Sequence, residues 1–238
     1  MKAESLLGTL GRQIAAGDVL AELPSENALA KRYDVSRTTV RAAMQGLVAR
    51  GLIEIRPASG ASVRDHEQWD WLDDDVLKWV CDSGNRHMIH QAGFDARLLI
   101  EPSIAALAAE HARPADLAEM DAAITAMEGA HSDSESFHLA DMAFHQTMAR
   151  ASHNPILSRL GRALESVQRT LFEHSYRPNQ NEIELTVALH RELLEAIRIR
   201  QPQQATELSR RLIETCDRRL QSNDGEPPQP ADRPSTTA

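Results

Sequence analysis

The side chains best suited to chemistry lie in the stretch FHLADMAFHQTMARASHNP, which runs from Phe137 to Pro155. Asp141 and His145 are four residues apart in it, and residues i and i+4 lie on one face of a helix. A carboxylate on an apolar helical face must be paired, bound to a cation or solvated, because burying it alone is costly. On spacing alone, a surface ion pair and part of a metal site both remain open.

A second histidine, His190, lies in the stretch TVALHRELLEAIRI, where aliphatic residues recur at helical spacing. A lone histidine on an apolar face is typical of a core residue bonded to a carbonyl group. Together with Asp141 and His145, however, it gives one carboxylate and two neutral imidazoles. That set suits a divalent transition metal such as Zn²⁺ or Ni²⁺ and leaves coordination positions open for an exogenous ligand.

The composition indicates helices packed on helices, since only 4% of the 238 residues are aromatic and helix-forming residues dominate. The net charge is −9, but residues 1–65 hold nine Lys or Arg against seven Asp or Glu. A mildly basic segment attached to an acidic body suits a DNA-reading head on a sensing domain. Two cysteines, no signal-peptide pattern and no long apolar run favour a cytoplasmic protein without a membrane span.

The first 65 residues predict a winged helix-turn-helix. One helix fits residues 3–16, a short one opens at Ser25, and a third is capped by Ser36 and ends at Gly51. The stretch LIEIRPASGASVR then predicts two short strands joined by a Ser-Gly turn. The alternative is a small helical domain with a solvated basic face. Polar side chains at the start of the third helix favour DNA, because a recognition helix inserts that end into the major groove.

The stretch LPSENALAKRYDVSRTTVRAAMQGLVARGLIEIR resembles the DNA-binding head of the GntR superfamily of bacterial transcription regulators. By that resemblance, Arg37, Thr38, Thr39 and Arg41 face DNA, and the wing tip at Ser59-Gly60 reaches the minor groove. Two departures stand out. The usual Pro-Gly before the LPSE motif is absent, and Asn27 occupies a position where many members carry a DNA-contacting arginine.

A linker follows, and it contains all three tryptophans, Trp69, Trp71 and Trp79. Clustered tryptophans can stack on a ligand, but docking between two domains is favoured because each ring brings a large area to bury. Three aspartates at 73–75 are expected to cap a helix that runs through Val76–Val80. The pattern also resembles the linker of the FadR subfamily.

Six further helices are predicted, at residues 86–111, 114–130, 134–152, 155–175, 180–200 and 203–221. The fold class is therefore mainly α: a winged helix-turn-helix followed by an antiparallel helical bundle with a ligand site between helices. We divide the chain into a head (1–65), a linker with a docking helix (66–85), an effector domain (86–222) and a disordered tail (223–238).

The motif of Asp141, His145, Asn154 and Pro155, followed by ALHRELLEAI around His190, resembles the effector domain of FadR-type regulators. In that family, Asp and three His bind a metal, and an arginine on the first effector helix holds a ligand carboxylate. Arg97 matches the arginine. The position of the third histidine is Leu212 here. Cys216, one turn further, could substitute, although a core cysteine is favoured.

A sugar acid suits this set of residues. Its carboxylate and α-hydroxyl could chelate the metal while Arg97 binds the carboxylate as a fork. Glu101, Thr186, and Tyr176 with His174 could bond the remaining hydroxyls, with ordinary surface or loop polarity as the alternative for each.

Two functions from different classes follow. The first is a ligand-responsive transcription regulator, a homodimer that binds a palindromic double-stranded DNA operator and represses sugar-acid catabolism. The second is a metal-dependent hydrolase or lyase that uses Asp141, His145 and His190, with an accessory N-terminal domain. The basic head has no role in an enzyme, and no nucleophile or general base accompanies the metal residues. The regulator is therefore favoured.

Overall fold

The structure is a computed structural model that describes residues 2–19, 21–56, 60–130, 133–175 and 180–223. For residues 171–175, 180 and 219–223 it describes the backbone alone. The fold is mainly α, as predicted: a small head with a three-stranded sheet is followed by a helical bundle. None of the helices in these ranges is long and apolar enough to cross a membrane.

The head is a winged helix-turn-helix, which confirms the fold prediction. Its helices and strands are α1 (Ala3–Ala15), β1 (Glu22–Leu23), α2 (Glu26–Tyr33), α3 (Arg37–Ala49), β2 (Ile53–Arg56) and β3 (Gly60–Val63). The predicted hairpin is β2 and β3, whose antiparallel register joins Ile53 to Val63 and Arg56 to Gly60. The strand β1, which pairs antiparallel with β3 on its other edge, was not predicted. Two residues are too few to show the period-2 pattern of a strand.

Caps and a glycine fix the chain path between the helices of the head. The Ser25 hydroxyl accepts a hydrogen bond from Ala28 N, and the Ser36 hydroxyl accepts one from Thr39 N, so each opens its helix as predicted. Gly51 follows α3 with φ of 74°, and a side chain there would collide with the Gln68 carbonyl oxygen. The apolar face of α3 packs against α1 through a fully buried set: Leu6, Leu10, Val40 and Leu47.

The linker is an ordered part of the molecule. A short 3₁₀ turn (His66–Gln68) precedes α4 (Asp74–Val80), and the Asp73 carboxylate accepts from the amides of Asp75 and Val76. Trp79 is buried against α1, where its ring leaves room only for glycine at position 11. The hydrophobic cluster that contains Trp69 and Trp79 extends to Val167. The linker therefore joins the core of the head to the bundle.

The bundle contains the six predicted helices, and their ends agree with the expected ones to within two residues. They are α5 (Arg86–His111), α6 (Pro114–Gly129), α7 (Ser134–Ala151), α8 (Pro155–Ser175), α9 (Gln180–Arg198) and α10 (Pro202–Asn223). A π-helical segment, Cys81–Asn85, joins α4 to α5 with Gly84 at φ of 87°. Residues 224–238, in the tail predicted to be disordered, lie outside the described residues. Within the aliphatic core, four buried polar side chains stand out: Glu101, His138, Thr186 and His190.

Candidate functional site

The three predicted metal ligands lie together in the bundle. α7 places Asp141 and His145 one turn apart, and α9 brings His190 against them. His190 Nε2 is 3.2 Å from Asp141 Oδ1, and His145 Nε2 is 3.9 Å from the same oxygen. One ligand atom from each of the three residues lies within 4.8 Å of the other two. That they bind a metal stays a prediction.

The tautomer of His190 is set by its own helix. Its Nδ1 lies 2.8 Å from the Thr186 carbonyl oxygen, which can only accept, so Nδ1 carries the proton. Nε2 is therefore the nitrogen with the free lone pair, and it faces Asp141. That buried atom has no partner in hydrogen-bond geometry among the described residues. The Phe144 ring meets the imidazole edge-on at 4.7 Å and restricts its rotation.

His145 lies between two carboxylates. Its Nδ1 is 3.3 Å from Glu101 Oε2, while its Nε2 faces Asp141. Burial acts against the charged imidazolium, but Glu101 and Asp141 outweigh that effect and raise the pKa of His145. A metal-bound histidine is commonly held in place by an acceptor behind its other nitrogen, and Glu101 occupies that position.

Glu101 connects the histidine to Arg97. Its Oε1 accepts from Arg97 Nε at 2.7 Å and from Gln168 Nε2 at 3.3 Å. Burial acts to raise the pKa of Glu101, but the Arg97 guanidinium and His145 outweigh it and hold that pKa at about 2. The same balance holds for Asp141, where burial is outweighed mainly by His190 and His145, so its pKa lies well below the usual range. Both side chains are therefore ionised near neutral pH.

This donor set fits a divalent transition metal. Two imidazole nitrogens and one carboxylate oxygen are a common ligand group for such an ion, and the unpaired Nε2 of His190 points at the position it would take. Leu212, at the position of the family's further histidine, is buried and offers no ligand atom. Cys216 lies outside the group of close ligand atoms within the described part of the chain.

A cavity of about 70 Å³ adjoins the cluster. Three of the predicted site residues line it, namely Arg97, Asp141 and Thr186, whereas Glu101 does not. Tyr176 and the side chain of His174 lie outside the described residues. The cavity also has a polar lining that sequence reasoning missed: His90, His138, Gln168 and Asp217. His90 precedes Arg97 by seven residues, a helical repeat that could have signalled a shared face.

The predicted DNA-reading residues lie at the start of α3. Arg37, Thr38 and Arg41 are exposed, and the Thr39 hydroxyl bonds that of Ser36. Arg41 Nε donates to both oxygens of Glu26, at 2.8 and 3.0 Å. Gly60 opens β3 on the exposed wing with φ of 87°, and Ser59 lies outside the described residues.

A chain of polar contacts joins the far end of α3 to the bundle. Arg50 follows α3 and donates to Asp73 at 3.0 Å and to Asp75 at 2.6 Å at the start of α4. Asp74, between them, accepts from Arg169 at 2.7 Å and from Ser166, both on α8. One turn of α8 therefore contacts α4 through Ser166 and Arg169 and lines the cavity through Gln168.

A winged helix-turn-helix head on a helical bundle is an architecture typical of DNA-binding regulators. The profile of the gntR family of bacterial regulatory proteins matches residues 4–63, and that of the FCD domain matches residues 93–215. The chain belongs to the gntR family, carries an FCD domain and is a transcription regulator. It is not an enzyme, and the hydrolase or lyase alternative finds no support among its relatives.

Similarity to one characterised repressor extends over nearly the whole chain. This chain is 34% identical to the galactonate operon transcriptional repressor of Escherichia coli over 221 residues, which is 92% of this chain and 96% of that protein. It is also 34% identical to the Uxu operon transcriptional regulator of E. coli, over 59% of this chain and 53% of that one. A solved Streptococcus agalactiae GntR structure is 25% identical with a TM-score of 0.51, covering 91% of this chain and 99% of that one.

Proposed function

We propose that this protein is a cytoplasmic repressor of a sugar-acid catabolic operon and is released from its operator by the acid. The similarity to the galactonate operon repressor of E. coli supports this choice, since it covers 92% of the chain. The effector is then an aldonate of the galactonate type. We propose the matching domain division: a head (1–65), a linker with a docking helix (66–85) and an effector domain (86–222).

The observation that carries the proposal is the grouping of a cationic fork and a metal-ligand set around one cavity. Arg97 and Asp141 both line it, and His145 and His190 lie next to Asp141. In our proposal the effector carboxylate binds the Arg97 guanidinium, whose Nε is already held by Glu101. An arginine fork gives a carboxylate both orientation and a charge-assisted bond.

The proposed cofactor is a divalent ion, Zn²⁺ or Ni²⁺, held by Asp141, His145 and His190. With three protein ligands it would keep positions for the carboxylate and α-hydroxyl of the acid. Glu101 then acts by positioning both His145 and Arg97, a change from the hydroxyl-binding role expected from the sequence. Thr186 and Tyr176 are retained as candidate contacts to the hydroxyl groups.

The proposed DNA complex is a homodimer on a palindromic operator. One recognition helix covers only a few base pairs, and two-fold symmetry doubles the sequence that is read. Arg37, Thr38, Thr39 and Arg41 would contact the major groove, and the Ser59-Gly60 wing tip the minor groove. The basic balance of the head supports this surface, because phosphate contacts supply most of the affinity.

The contacts of α8 suggest how the effector would act on the head. Gln168 lines the cavity and bonds Glu101, while Ser166 and Arg169 hold Asp74 at the start of α4. A shift of α8 on effector binding would move α4 and, through Arg50, the end of α3. Release requires the effector to bind the DNA-incompetent arrangement more tightly than the competent one.

The test is a titration of the preformed complex between the full chain and the DNA upstream of its own gene. Galactonate, gluconate and the neutral sugar galactose are added in parallel. One of the two acids should release the DNA at a concentration at which galactose has no effect. Release by galactose as well, or by neither acid, would contradict the proposed effector class.

A further inference from the structure

The cavity has a second polar end, away from the metal-ligand set. His90 of α5 and Asp217 of α10 both line it, with His90 Nε2 3.1 Å from Asp217 Oδ1. Their side chains are only 13% and 11% exposed. His90 Nε2 nevertheless has no partner in hydrogen-bond geometry within the described part of the chain. Leaving a buried ring nitrogen without a well-formed hydrogen bond costs free energy of folding unless another group bonds it.

Helix α5 sets the distance between this pair and the proposed carboxylate site. His90 lies seven residues before Arg97, or about 10 Å along a helix that rises 1.5 Å per residue. Glu101 lies one turn beyond Arg97 in the other direction, next to His145. The order along α5 is therefore the metal-ligand set, then Arg97, then the His90–Asp217 pair.

The chemistry of the pair suits alcohol groups. A carboxylate accepts hydrogen bonds from hydroxyls, and an imidazole can donate to a hydroxyl or accept from it. The Asp217 side chain is largely buried, so its carboxylate is poorly solvated, and this burial raises the pKa of Asp217 despite the opposing charges of His90 and Arg97. A hydroxyl that donates to Asp217 and accepts from His90 would give the histidine the bond that its Nε2 lacks.

We propose that His90 and Asp217 bind the hydroxyl groups of the effector that lie far from its carboxylate. They make the cavity selective for long polyhydroxylated acids over short hydroxy acids. The inference rests on the proposed function, because Arg97 must hold the carboxylate for the other end to reach the pair. A two-carbon acid held at Arg97 brings no hydroxyl to the pair. A site built to bond hydroxyls rejects ligands without them, since its buried polar groups then lack that bond.

The experiment compares a long and a short acid on the full-length chain by calorimetric titration. Galactonate and gluconate are the six-carbon probes, and glycolate supplies the same carboxylate and α-hydroxyl without the polyol chain. In Asp217→Asn and in His90→Phe, the affinity for the six-carbon acid should fall by about tenfold, the worth of one hydrogen bond to a charged group. The affinity for glycolate should stay at the wild-type value in both.

A matched control is available elsewhere in the bundle. Asp116 makes a contact of the same length, 3.1 Å, with His153, and neither residue lines the cavity. Asp116→Asn should leave the affinities for both acids unchanged. Operator binding and the melting temperature of each variant report folding, and His90→Phe carries the test if Asp217→Asn does not fold.

Three results would overturn the inference alone. They are an unchanged affinity for the six-carbon acid in the folded variants, an equal loss for both acids, and a wild-type protein that binds glycolate as tightly as the six-carbon acids. A wild-type protein that binds none of the acids overturns the proposed function too, so the two failures can be told apart.

Discussion

The head and the bundle each contain an arginine–glutamate pair of nearly the same length. In the head, Arg41 Nε lies 2.8 Å from Glu26, and in the bundle Arg97 Nε lies 2.7 Å from Glu101. The side chains of the first pair are 61% and 32% exposed, those of the second 14% and 6%. Exposed pairs contribute at most about 1 kcal/mol, whereas breaking a buried one leaves a charge without compensation. The same type of ion pair is therefore weak in the head, where it is exposed, and costly to break in the bundle, where it is buried.

An exposed pair suits a surface that must exchange partners. In the proposed DNA complex Arg41 would leave Glu26 at little cost, because water and salt already screen the pair. A buried pair suits a site that must hold one geometry. Arg97 is restrained because Glu101 Oε1 accepts a hydrogen bond from its Nε, and the other oxygen of Glu101 faces His145. The proposed carboxylate site and the proposed metal site thus share a single side chain.

The largest effect is expected from neutralising the buried carboxylate. Glu101→Gln leaves Arg97 without its counter-charge and should lower the free energy of unfolding by about 3 kcal/mol. The matched variant in the head, Glu26→Gln, should change it by less than about 1 kcal/mol. Urea unfolding of both variants measures the difference. Equal effects would contradict the contrast between the two regions.

The effect of Glu101→Gln should also depend on pH in a definite direction. The folded-state pKa of Glu101 is about 2, below the ordinary value for an unfolded chain. A depressed pKa contributes stability above the unfolded value, and that stability is lost as the pH falls through the folded one. The gap in stability between wild type and Glu101→Gln should therefore be full at neutral pH and shrink as the pH falls from about 4 towards 2. A gap that stays constant over that range would show that Glu101 does not act through its charge.

The next effect concerns the effector. Arg97→Ala should bind operator DNA like wild type but fail to release it at acid concentrations up to about a hundredfold higher, because a charge-assisted fork is worth about 3 kcal/mol. Arg97→Lys should fail nearly as badly, since a point charge does not reproduce the bidentate geometry. A gel-shift titration with galactonate and gluconate measures this. If Arg97→Ala releases the operator at the same acid concentration as wild type, the effector carboxylate does not bind at Arg97.

Metal removal should have a somewhat smaller effect, on stability. An ion that binds only the folded chain, and whose free concentration is about 100 times its dissociation constant, stabilises the fold by about 2.7 kcal/mol. A chelator should therefore lower the melting temperature, and Zn²⁺ or Ni²⁺ should restore it. In His190→Ala the melting temperature should no longer respond to either treatment. If the chelator does not change the melting temperature of the wild-type protein and elemental analysis finds no metal, a bound ion is ruled out.

The contrast between local and distant contacts explains what the sequence could reveal. Asp141 and His145, or the caps at Ser25 and Ser36, depend on spacing within one helix, and their geometry was predicted. His90 and Asp217 are 127 residues apart in the chain and lie on different helices, so no local pattern signals their contact. The contacts of Glu101 with His145 and Gln168 were missed for the same reason, because they depend on how α5 packs against α7 and α8. The strand β1 was missed because it is only two residues long.

Effects of similar or smaller size are expected on the exposed side of the comparison, at the proposed DNA surface. Arg37→Ala and Arg41→Ala should each weaken operator binding by about 1–3 kcal/mol, the range for an arginine that contacts a base or a desolvated phosphate. Glu26→Gln should act in the opposite direction and strengthen binding by less than about 1 kcal/mol. It removes a negative charge that lies 2.8 Å from Arg41 and 3.8 Å from Arg37. In the proposed complex that charge would compete with the phosphates for both arginines.

Operator titrations at two salt concentrations separate these contributions. An arginine that binds a phosphate reduces the salt dependence when it is removed, by about one counter-ion per contact, whereas one that reads a base mainly relaxes the sequence preference. The gain in Glu26→Gln should shrink at high salt, because screening weakens the competition that it removes. If Glu26→Gln instead weakens operator binding, the glutamate orients the arginines for DNA, and the exposed pair is held to one geometry as firmly as the buried one.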